Sequence, residues 1–74
     1  MKHFRILLPA LLLAGYLGIY QGQLAVYRQG EILPSEVYPI DTYLYPPAEQ
    51  RMLIDGIPFA NEQELQRLLE NYLS

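Results

Sequence analysis

Acid–base catalysis needs two titratable groups that meet in a pocket with separated pKa values. This chain holds eight acidic residues, one histidine and no cysteine, and their spacing does not pair them. Glu62 and Glu64 lie two apart on a predicted helix, so they point in different directions and read as dipole partner and cap. Asp55, beside Gly56, reads as a residue of a helix end, and Asp41 as the start of a turn. Ser35 and Ser74 have no histidine within the folded body, because the one histidine is His3. A Ser-His-Asp triad is therefore not expected. Without cysteine there is neither a disulfide nor a thiolate metal site. The five glycines are dispersed and form no phosphate-cradling loop. The expectation is a protein that is not an enzyme, with no catalytic residue, metal ligand, cofactor or small-molecule substrate.

Recognition chemistry is left to the seven tyrosines. Tyr16, Tyr20 and Tyr27 fall on one face of a predicted β-hairpin. They are either ordinary strand residues, partly buried, or a surface that faces lipid headgroups or a protein partner. A rigid amphipathic ring suits such an interface.

The elements that must position these rings begin with an uncharged run from Ile6 to Tyr27. Lys2 and Arg5 precede it, and the rest of the chain carries eight acids against Arg28, Arg51 and Arg67, a net charge of −5 within an overall −3. An acidic body disfavours nucleic acid. A basic tail ahead of an apolar run is a membrane signature, and the positive-inside rule places the N-terminus in the cytoplasm and the C-terminal domain outside. Three readings compete for residues 1–27. One is a single transmembrane helix over residues 6–27, about 33 Å long at 1.5 Å per residue, as in a small structural subunit of a membrane complex. The second is a short anchor over residues 1–16 followed at once by a folded domain over residues 17–74. The third is a signal peptide cut near Leu13-Ala14-Gly15; lipidation there is excluded, since Tyr16 stands where a cysteine would be needed. A soluble protein that buries this segment as a core helix is a further alternative.

Register favours the hairpin. A two-residue turn at Gln21-Gly22 sets Leu17 opposite Val26 and Ile19 opposite Leu24, which gathers Leu17, Ile19, Leu24 and Val26 on one face. A slip of one residue destroys that separation. The residues 36–41 read as a third strand, and Pro39 puts it at a sheet edge. Pro46-Pro47 open a short helix that Gly56 closes, residues 57–60 form a short extended piece, and Asn61 with Glu64 signals a capped final helix. Leu65, Leu68, Leu69, Tyr72 and Leu73 form its apolar stripe. The predicted fold class is α+β: a membrane segment, then a small antiparallel three-stranded sheet with two helices packed on one face.

These segments carry a resemblance. Tyr20-Gln21-Gly22-Gln23-Leu24-Ala25-Val26-Tyr27, Glu36-Val37-Tyr38-Pro39-Ile40-Asp41, Ala48-Glu49-Gln50-Arg51-Met52-Leu53 leading into Asp55-Gly56-Ile57, and Glu64-Leu65-Gln66-Arg67-Leu68-Leu69-Glu70-Asn71-Tyr72 resemble, in order and spacing, small membrane-anchored proteins of Gram-positive, often spore-forming bacteria. Those proteins have a domain like the C-terminal domain of bypass of forespore C. The namesake is a secreted regulator that restrains a signalling serine protease during sporulation. The resemblance implies an extracytoplasmic domain behind an uncleaved N-terminal segment, without enzymatic role. The expected partners are the membrane and a protein.

Overall fold

The computed structural model describes residues 13–74. Strands β1 (Gly15–Tyr20), β2 (Gln23–Arg28) and β3 (Glu36–Asp41) are followed by a 3₁₀ turn over Thr42–Leu44. Helix α1 (Pro47–Asp55), strand β4 (Ile57–Phe59) and helix α2 (Glu62–Leu73) complete the chain. The sheet is antiparallel with order β3-β2-β1-β4.

The hairpin forms in the predicted register, with Leu17 opposite Val26, Ile19 opposite Leu24 and Tyr20 opposite Gln23. Gln21 and Gly22 both take positive φ, 51° and 82°, as a two-residue turn matched to strand twist requires. The single helix over residues 6–27 is thereby overturned: residues 15–20 and 23–28 are strands. Among the described residues no helix is long and apolar enough to cross a membrane. The expected anchor over residues 1–16 lies mostly outside the described residues, but Gly15 and Tyr16 already belong to β1.

The sheet has four strands where three were expected. β4 supplies the fourth, pairing Ile57, Pro58 and Phe59 with Leu17, Tyr16 and Gly15. β3 occupies the opposite edge, as Pro39 demands. Between the pairs Gln23↔Asp41 and Ala25↔Val37 the ladder shifts register, so β3 bulges around the residue that lacks an N–H.

One face of the sheet forms the core. Leu17, Leu24 and Val26 pack there with Phe59, Leu53 of α1 and Leu65 and Leu69 of α2. Gly15 is where β2 and β4 close in on β1: a Cβ on it would sit 2.1 Å from the Tyr27 carbonyl oxygen and 2.9 Å from the Phe59 ring. Helix α1 starts with Pro47 in its first turn and ends at Gly56, whose N–H reaches the Met52 and Leu53 carbonyls. Helix α2 is capped as its sequence indicates, with the Glu64 N–H donating to Asn61 Oδ1 at 2.9 Å. The Glu64 carboxylate reaches back to the Ala60 N–H at 2.8 Å, one residue upstream of the usual reciprocal partner, the N-cap N–H. Tyr72 ties the two helices, donating to Glu49 at 2.6 Å, while Tyr45 donates to the Tyr72 carbonyl at 2.5 Å and meets its ring edge-on.

Candidate functional site

Of the three tyrosines singled out in the hairpin, Tyr16 and Tyr27 come together and Tyr20 stands apart from their stack. Tyr16 on β1 and Tyr27 on β2 are directly opposed, and their rings stack at 4.8 Å with 11° between planes. The Tyr27 hydroxyl donates to the Ile19 carbonyl at 2.7 Å. Burial, and secondarily the Tyr16 and Tyr20 phenols, push Tyr27 above the ordinary tyrosine range. Its proton is thus held in the hydrogen bond that orients the ring.

Two glycines complete the seat of Tyr16. A Cβ on Gly56 would lie 3.0 Å from the Tyr16 ring, and one on Gly18 would lie 3.5 Å from it. The ring therefore rests on backbone from β1 and from the end of α1. Gly18 and Ala25, on the same sheet face by register, are both buried, Gly18 against the Tyr16 ring. Sequence reasoning assigned Gly56 only to helix termination and missed this second duty. A local signal existed for Gly18, since a tyrosine and a glycine two apart on a strand share a face. None existed for Gly56, which arrives forty residues later.

Tyr16 remains 45% exposed and divides two shallow grooves. One, of about 350 Å³, runs along Gly18, Ile19 and Tyr27 to Leu53 and Ile54 of α1; Ile54 is 67% exposed. The other, of about 450 Å³, runs from Tyr16 past Gly56 and Pro58 to Leu13, with Asp55 and Gln29 at its rim. The first groove holds no charged side chain and the second a single carboxylate. Such surfaces take up an apolar or aromatic side chain and offer hydroxyl and backbone groups for orientation. Among the described residues no three acidic, histidine or cysteine side chains converge to hold a metal ion.

The remaining candidate surface is the open edge of β3. Pro39 and the bulge interrupt its outward hydrogen-bonding row, which is how edge strands resist the addition of another strand. Arg28 also ties this edge to the body, bonding Glu36 at 3.4 Å and pairing with Glu62 of α2. The Tyr16 ridge is the better-formed site.

Glu62 and Glu64 sit at the start of α2 in the capping roles read from their spacing. Asp55 closes α1, Asp41 accepts from the Tyr43 hydroxyl at 3.3 Å, and the Ser35 hydroxyl donates to the Val26 carbonyl at 3.2 Å. His3 lies outside the described residues.

Neither a curated protein nor a solved structure matches the chain. A family model, described as the BofC C-terminal domain, matches residues 7–74. That span takes in all seven described elements and agrees with the resemblance carried by the hairpin, β3 and both helices. This chain belongs to the BofC C-terminal domain family.

Proposed function

We propose that the chain is a non-enzymatic interaction module acting in sporulation-linked regulation at the cell membrane. The family supports the regulatory part of this reading. The N-terminal segment stays uncleaved and tethers the domain, with Lys2 and Arg5 in the cytoplasm and the domain outside. The partner is a protein that docks on the Tyr16 ridge.

One observation carries the docking surface: Tyr16 is 45% exposed yet fixed by a stacked ring and two glycine backbones. A pre-ordered aromatic ring beside apolar grooves loses little entropy on binding, which is the property of interface anchors.

Site-specific photocrosslinking in sporulating cells tests the reading. A photoreactive residue at position 16 should give a discrete adduct that position 43, on the exposed 3₁₀ turn, does not give. Ile54→Asp should abolish that adduct while the purified domain keeps its melting temperature. Identical adducts from positions 16 and 43 would sink the docking surface. External protease on intact cells, combined with the mass of the mature chain, tests the topology. Protection of the C-terminal domain would overturn the outward orientation, and a mature chain lacking residues 1–14 would overturn the tether.

A further inference from the structure

The loop from Gln29 to Pro34 has a tip of unusual composition. Ile32 is 92% exposed and Leu33 65% exposed, side by side in a turn where Gly, Pro, Asn, Asp and Ser usually prevail. The fold places that tip beside the point where the chain leaves the domain toward its N-terminus. Ala14 is held from both sides, donating to the Phe59 carbonyl at 2.9 Å and accepting from the Gln29 N–H at 2.7 Å. Gln29 is the residue that opens the loop. The Glu31 N–H returns to the Arg28 carbonyl at 3.1 Å, and the Ser35 N–H to the Val26 carbonyl at 2.8 Å, so the loop closes on itself at this end of the sheet. Ile32 stands three residues beyond Gln29, a separation of at most about 11 Å.

Resting on the membrane-tethered reading above, we infer that Ile32 and Leu33 form a second membrane contact, inserting into the bilayer interface beside the emerging N-terminal segment. The uncharged sequence from Ile6 runs into Leu13, and Ala14 is already clamped in the sheet. No spacer separates the apolar run from the domain. Whatever surface receives the residues before Leu13 is therefore within reach of Ile32 and Leu33 as well. The headgroup zone on each side of a bilayer is about 5–7 Å deep, within the reach of this tip.

Charge selects the type of lipid contact. Among the described residues Arg28 is the cation that adjoins the loop, and it is engaged with Glu36 and Glu62. Glu31 lies exposed in the loop itself. An acidic surrounding gives no attraction to anionic headgroups, so the contact is apolar and binds zwitterionic bilayers equally well.

The chain has no cysteine, so single labels are readily placed. The full chain is reconstituted in phosphatidylcholine vesicles with an environment-sensitive fluorophore at I32C, at L8C or at Y43C. Thr42 bonds the Gly22 carbonyl, which puts position 43 at the opposite, hairpin-turn end of the sheet. Labels at positions 8 and 32 should be quenched by nitroxide lipids and shielded from aqueous iodide, and position 43 should show the reverse. Adding anionic lipid should change the quenching at position 32 by less than two-fold. Quenching at position 8 without quenching at position 32 overturns this inference and leaves the tether standing. Quenching at neither position overturns the tether and this inference together. Shielding of position 32 from iodide without lipid quenching assigns the tip to protein contact and also overturns it.

Discussion

The two faces of the β1–β2 hairpin are buried by opposite means. On one face, large apolar residues are covered by other elements: Leu17, Leu24 and Val26 lie beneath Phe59, Leu53, Leu65 and Leu69. On the other, the small residues Gly18 and Ala25 are buried, with Tyr16 and Tyr27 stacked on the same face. The first face needs the whole chain to be complete before it is dry. The second is built largely from residues 16–27 and the end of α1. The first is sealed and carries stability. The second is closed yet keeps Tyr16 half exposed, which leaves it available for recognition.

The largest effect should come from breaking the helix-covered face. Leu17→Ala should lower unfolding free energy by about 3–5 kcal/mol, from lost burial plus the cavity left behind, measured by chemical denaturation. Gly15→Ala strikes where both neighbouring strands meet β1, since its Cβ would lie 2.1 Å from the Tyr27 carbonyl oxygen. It should cost about 2–3 kcal/mol through forced backbone displacement. Tyr16→Ala removes one stacked partner and should cost only about 1 kcal/mol. A Tyr16→Ala loss as large as that of Leu17→Ala would erase the distinction between the faces.

Alkaline pH sharpens the comparison further. Burial, then the Glu49 hydrogen bond, raises Tyr72 well above its usual range, and burial raises Tyr27. A raised tyrosine pKa means the unfolded chain loses its proton first. The stabilisation is therefore complete below pH of about 10 and declines as pH rises above it. Denaturation series from pH 8 to 11 should show this decline, and Tyr72→Phe should flatten it more than Tyr27→Phe. The smallest effect is a gain. Gln21 holds a positive φ of 51°, where Asn is better tolerated, so Gln21→Asn should stabilise by about 0.5 kcal/mol.

Much of the fold was legible because its signals are local. The hairpin register follows from alternation about a two-residue turn, the cap of α2 from Asn61 and Glu64, and the edge position of β3 from Pro39. The fourth strand was read only as an extended piece, because three residues with Pro58 in the middle carry a weak strand signal and their partner lies forty residues earlier. The same distance hid the site. Tyr16 and Tyr27 were identified by face, but the contact of Gly56 with the Tyr16 ring depends on where α1 ends in space. The domain boundary read between Tyr16 and Leu17 falls inside β1, whose pairing reaches Gly15. Tyr20 shares the face and takes no part in the stack, since it sits one step from the turn, opposite Gln23.

The position of β1 has a mechanical consequence. It is a central strand, flanked by β2 and β4, and it receives any pull exerted through the residues before Leu13. That load first meets the two backbone hydrogen bonds of Ala14. It then acts along a strand gripped on both sides, so the neighbouring bonds bear it in shear, together, rather than opening one after another. A domain pulled from an edge strand would unzip under the same force; a pull on this one would act on the middle of its sheet.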